Sequence, residues 1–110
     1  MDLNLKGRTA FITGASRGIG RSIAFALAGE GVNLGLFGRD MARINAAAAE
    51  LRGKYPRLRV AAVELDVADA SAIKPAVEKA VAELGGVDIL VNCAGGAYRG
   101  RLAEIPDHLW

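Results

Sequence analysis

A chain of 110 residues, 52% hydrophobic and 24% charged, has the composition of one globular domain with a modest core, not of a disordered tail or a fibre. A formal net charge of +2, with Lys and Arg scattered among Asp and Glu, is too small for a nucleic-acid footprint. The longest apolar run, 23–28, is far short of a membrane span and the opening MDLNLKG has no apolar stretch behind a basic start, so no membrane is involved and the cytosol is the expected location.

Residues 8–13 read as a buried strand. A helix follows over about 18–29, with Ile19, Ile23, Ala26 and Leu27 expected on its inward face. Residues 32–37 make the second strand. Asp40 is then placed as the N-cap of a helix that turns Met41, Ile44, Ala48 and Leu51 inward and is closed by Gly53 and Pro56. Residues 58–65 are the third strand. In the third helix Ile73, Val77, Ala80, Val81 and Leu84 recur at helical spacing, with Gly85-Gly86 as the stop. Pro75 leaves two starts open there: an N-cap at Asp69, with the proline deleting an early intrahelical bond, or a regular helix beginning near Pro75 itself. Residues 87–92, a nearly continuous apolar run interrupted by Asp88, are the fourth strand. Strands without polar alternation, separated by helices, imply an α/β fold with a parallel sheet covered on both faces.

Between the first strand and the first helix lies TGASRGIG, residues 13–20, with glycine at 14, 18 and 20. At the carboxyl end of a strand in such a sheet, the following helix presents unpaired N–H groups and the positive end of its dipole, for which phosphate is the natural guest. Gly14 is expected to make the turn, Gly18 to let a pyrophosphate or ribose approach the main chain, and Gly20 to let the helix pack closely on the strand. The spacing G-x-x-x-G-x-G is neither the common G-x-G-x-x-G fingerprint nor a Walker A loop. Gly29, Gly31 and Gly35 sit at the wrong end of the unit for phosphate. Cys93 is the single cysteine and His108 the single histidine, which excludes an internal disulfide and leaves a metal site almost nothing to build from.

TGASRGIG, then LDV at 65–67, then NCAG at 92–95, each just past a predicted strand, resemble the N-terminal half of the short-chain dehydrogenase/reductase family; with GRLAEIPDHLW the resemblance runs from about Leu5 to Trp110. It implies a Rossmann-type doubly wound parallel sheet, of which residues 1–110 would be the first half, about four strands and three complete helices. A dinucleotide would lie across the carboxyl ends of the strands. By resemblance Gly14, Ser16, Gly18, Ile19 and Gly20 form the phosphate and ribose cradle, Asp66 accepts from the adenine amino group, and the Val67 backbone borders the ring. Asn92, Ala94 and Gly95 would line the ribose, with Asn92 also tying strands together. Cys93 stands where relatives often have Asn and is read as packing.

Relatives that prefer NAD carry an acid at the end of the second strand, where this chain reads LFGRD, with Gly38 in that place. Arg39 and, from the glycine loop, Arg17 are expected to converge on the 2′-phosphate of NADP(H), which is therefore preferred over NAD(H). Asp40, the competing acid, is better explained by helix capping.

The family's catalytic serine and Tyr-x-x-x-Lys are not found: Arg59 follows Tyr55 by four positions, and Leu102 follows Tyr98. The chain is accordingly expected to be a truncated, inactive cofactor-binding half, in full an oxidoreductase of ketones or secondary alcohols, with 3-oxoacyl reductases as a plausible neighbourhood. A homo-oligomer, dimer or tetramer, is implied for the full protein. The rival expectation is a non-catalytic nucleotide-binding module. Arg99 and Arg101 are read as solvated, in a loop over 96–102 that would border a small-molecule substrate.

Overall fold

The structure, a computed structural model, describes residues 4–16 and 18–93. Within them strands and helices alternate strictly: β1 (Thr9–Thr13), α1 (Gly18–Gly29), β2 (Asn33–Gly38), α2 (Met41–Lys54), β3 (Val60–Glu64), α3 (Ala70–Leu84) and β4 (Ile89–Asn92). Every pairing is parallel and the order is β3-β2-β1-β4. Strands β1 to β3 step outward in one direction and β4 then returns to the other flank of β1, so the strand order reverses between β1 and β4. This is the Rossmann-type half-fold that the motifs imply.

Successive strand residues face opposite sides of a sheet, and the core divides accordingly. Ala10, Ile12, Leu34 and Leu36 pack with Ala24 and Ala28 of α1 and Ile44, Ala48 and Leu51 of α2. On the other face Phe11, Phe37, Ala61 and Val63 pack with Ala76, Ala80 and Leu84 of α3. The Phe11 and Phe37 rings meet at 5.2 Å between centroids, tilted by 58°, an arrangement that contributes about 0.5–1.5 kcal/mol beyond area burial.

Several sequence expectations are corrected. The buried seam of α1 is Gly20, Ala24 and Ala28, whereas Ile19 is 75% exposed and Ala26 is exposed as well. Small residues at i, i+4 and i+8 let the helix axis approach the sheet, which displaces the larger Ile23 and Leu27 to half-buried flanks. In α3 the seam is likewise Ala76, Ala80 and Leu84, with Ile73 exposed. Gly53 does not close α2; the helix runs to Lys54, and the Tyr55 N–H caps it on the Leu51 carbonyl at 2.8 Å. Of the two starts for α3, Asp69 is the N-cap, so Pro75 lies inside the helix, where its nitrogen has no proton for the Ser71 carbonyl. Nor is β4 buried on both faces: Leu90 is 70% exposed, because α3 packs over β3 and β2 and leaves this end of the sheet open among the described residues.

Candidate functional site

The carboxyl ends of the strands open into a cleft of about 1020 Å³, floored by the loops after β1, β2 and β3 and reaching Cys93 beyond β4. The β1–α1 loop contributes Gly14, Ser16 and Gly18. Gly14 and Gly18 adopt φ +66° and +62°, the left-handed region that an L side chain resists. A Cβ on Gly18 would meet open space, so the main chain there is uncovered. Gly20 is buried beneath the loop: a Cβ would stand 2.9 Å from the Gly14 carbonyl carbon and closer still to its oxygen. The close approach that Gly20 permits is therefore to the loop backbone, not to the strand. Together these glycines bring the N–H groups that open α1 to the cleft.

On the second wall, the Ala15 N–H donates to the Phe37 carbonyl at 3.2 Å and the Leu65 N–H to the Gly38 carbonyl at 2.9 Å, which fastens the three loops side by side. Gly38 and Arg39 line the cleft, followed by Asp40, Met41 and Arg43. Asp40 caps α2, its Oδ1 accepting from the Arg43 N–H at 3.2 Å, while Oδ2 lies 3.3 Å from Arg43 Nε. The third loop supplies Leu65, Asp66, Val67 and Ala68. Asp66 Oδ1 accepts from the Ala68 N–H at 3.0 Å, and among the described residues Oδ2 accepts nothing. Asp69, by contrast, spends Oδ1 on the Ser71 N–H and hydroxyl at 3.1 and 2.6 Å. The two carboxylates thus divide as the sequence suggests, one toward the cleft and one into the helix start.

Asn92 lies on β4 away from the cleft lining, and its Oδ1 accepts from Thr13 Oγ1 at 2.8 Å, tying β4 to β1 as expected. The same hydroxyl oxygen accepts from the Cys93 N–H at 3.2 Å. Ile19 borders a smaller neighbouring depression with Gly18 and Arg21. Arg17, Ala94 and Gly95 lie outside the described residues. Among the described residues no group of His, Cys, Asp and Glu could hold a metal ion.

A sequence profile described as short chain dehydrogenase matches residues 8–110. The chain belongs to the short chain dehydrogenase family. It is 45% identical over 101 residues to a Streptomyces violaceoruber protein provisionally named ketoacyl reductase 1 of the granaticin polyketide synthase, covering 92% of this chain and 36% of the relative. To 3-oxoacyl-acyl-carrier-protein reductase FabG of Staphylococcus aureus it is 36% identical over 104 residues, 94% of this chain and 42% of FabG. Among solved structures, L-sorbose reductase of Gluconobacter frateurii, complexed with NADPH and L-sorbose, superposes with a TM-score of 0.84 at 39% identity, over 97% of this chain and 40% of that one. The chain thus spans about two fifths of the length of these three relatives.

Within this short chain dehydrogenase fold the cleft gathers six of the motif-derived residues, Gly14, Ser16, Gly18, Arg39, Asp66 and Val67. Sequence reasoning missed Arg43 and Thr13. Arg43 carried a weak signal, a cation one helical turn beyond a capping aspartate. Thr13 carried a stronger one, a hydroxyl on the last residue of the strand that feeds the glycine loop.

Proposed function

We propose that this chain is the cofactor-binding portion of an NADP(H)-dependent oxidoreductase that reduces a ketone or oxidises a secondary alcohol. The observation that carries the reading is a cleft at the reversal of strand order, walled on one side by uncovered glycine backbone and on the other by arginine. A dinucleotide fits those walls: Gly14 and Gly18 present main chain without a Cβ, and the wall beyond β2 carries Arg39 where the second strand ends in a glycine. Asp40, the one acid beside Arg39, has both carboxylate oxygens engaged by Arg43, which disfavours the ribose-hydroxyl role an NAD-binding acid performs. The NADPH of the Gluconobacter enzyme, and the 5-hydroxy-NADP complexed with an alcohol dehydrogenase of Thermococcus sibiricus 39% identical to this chain, support the same choice.

In this reading Gly14, Ser16, Gly18, Ile19 and Gly20 hold the pyrophosphate and its ribose, and Arg17 and Arg39 grip the 2′-phosphate. Asp66 and the Val67 backbone hold the adenine, and Ala94 and Gly95 border the second ribose, while Asn92 serves the site by tying β4 to β1 through Thr13. The nicotinamide, when bound, carries the hydride exchanged with the carbonyl carbon. The chain's own residues bind and orient; neither Tyr55 nor Tyr98 stands in a Tyr-x-x-x-Lys pattern that would move the proton. Kinship with FabG and the ketoacyl reductase favours a 3-oxoacyl-type carbonyl substrate; a cytosolic homo-oligomer is what the family resemblance implies for the full protein. No helix among the described residues is long and apolar enough to cross a membrane.

The reading is tested by titrating NADPH and NADH into the parent protein and Arg39→Ala. Charge-assisted hydrogen bonds contribute about 1.5–3 kcal/mol before screening, so NADPH binding weakens by ~10-fold or more while NADH binding barely changes. Equal losses for the two cofactors would refute it.

A further inference from the structure

Of the described arginines away from the cleft, all but the exposed Arg57 are already committed. Arg8 pairs with Asp88, Arg21 with Glu50 and the Phe25 ring, Arg52 with the Val60 carbonyl and Arg59 with the Glu83 carbonyl. On the cleft wall the situation differs. Arg43 meets Asp40 through Nε at 3.3 Å and through its own backbone N–H at 3.2 Å, and among the described residues Nη1 and Nη2 donate to nothing. Its side chain is 53% exposed and lines the same cleft as Arg39.

We infer that Arg43 is a second cofactor-discriminating residue, its outer guanidinium edge joining Arg39 on the 2′-phosphate of the nucleotide; the inference rests on the NADP(H) reading above. An exposed i,i+3 ion pair contributes little to stability on its own. Here the same aspartate holds both the backbone and the side chain of Arg43, so the guanidinium is oriented before a ligand arrives and less rotamer freedom remains to be lost on binding. A guanidinium held at Nε still presents two parallel N–H donors from Nη1 and Nη2, the fork that matches phosphate oxygens. Asp40 is the positioning residue of the pair. Its charge is offset by Arg43, so Arg39 keeps its full attraction for an anion.

The test is a titration of NADPH and NADH, followed by nicotinamide fluorescence, into the parent protein, Asp40→Asn, Arg43→Gln and the double variant. Asparagine caps a helix as well as aspartate does, so α2 keeps its start throughout. The Asp40→Asn background also removes the carboxylate whose repulsion of the phosphate would mimic a lost arginine contact. The expected result is that Arg43→Gln weakens NADPH ~10-fold in the parent background and by a smaller but measurable factor in the Asp40→Asn background, where the guanidinium is no longer held in place, and leaves NADH within about twofold in both. Losses shared equally by the two cofactors, no loss at all, or a loss that vanishes in the Asp40→Asn background overturns the role of Arg43 and leaves the cofactor reading standing. A parent protein that binds NADH as tightly as NADPH, or binds neither, overturns both.

Discussion

Gly38 ends β2 at the point where an acid would take hold of two ribose hydroxyls, and its neighbourhood shows what admitting one would require. A Cβ there would lie 2.9 Å from Ile44 Cδ1 and 3.8 Å from Ser16 Cβ. The first contact is to the far end of a flexible side chain, so Gly38→Asp is tolerated after Ile44 shifts, at a cost of about 1 kcal/mol in stability. The expected outcome is a fall in NADPH affinity and a rise in the NADH-to-NADPH preference ratio, read by titration alongside a thermal melt. The absence of an acid, Arg39, and the split between Asp66 and Asp69 are all legible in the sequence, because each depends on residue type at a motif position. Arg43 and Thr13 are not, since their importance lies in partners that only the folded geometry supplies: Asp40 in one case, Asn92 and Cys93 in the other.

At the scale of the element, α3 keeps a proline that its cap does not need. With Asp69 at the N-cap, Pro75 is the sixth residue of Ala70–Leu84 and withholds a hydrogen bond from the Ser71 carbonyl. Pro75→Ala restores that bond, and even after the looser unfolded chain offsets part of the gain, it is expected to stabilise the protein by about 1 kcal/mol. Thermal denaturation checks this; an unchanged or lower midpoint shows that the proline is already accommodated without cost. The existence and type of all seven described elements were legible from apolar period and turn residues. Which face of α1 and α3 turns inward was not. Hydrophobicity points to Ile19 and Ile73, but burial went to Gly20, Ala24, Ala28 and Ala76, because close packing on a sheet favours the smallest side chain over the greasiest.

For the molecule as a whole, periodicity in the sequence reveals a parallel sheet with helices on both sides but says nothing of the order in which strands lie. That order, β3-β2-β1-β4, was available only through the family resemblance, because it depends on long-range pairings that leave no local trace. Among the described residues it leaves β4 at an edge, with Leu90 exposed on the face that α3 does not reach. In a protein of these 110 residues alone, that edge is expected to drive concentration-dependent association. Leu90→Lys places a charge on it and is expected to suppress association, measured by light scattering, with the melting midpoint nearly unchanged.

The central position of β1 has a consequence for the loop it carries. Paired with β2 along one flank and β4 along the other, with the Thr13 hydroxyl fastening the latter seam, β1 is held against fraying on both edges. A phosphate cradle made of glycine has no side chains with which to brace itself. Its shape is therefore borrowed from the doubly braced beam beneath it, which lets the most pliable residues of the chain hold a fixed outline.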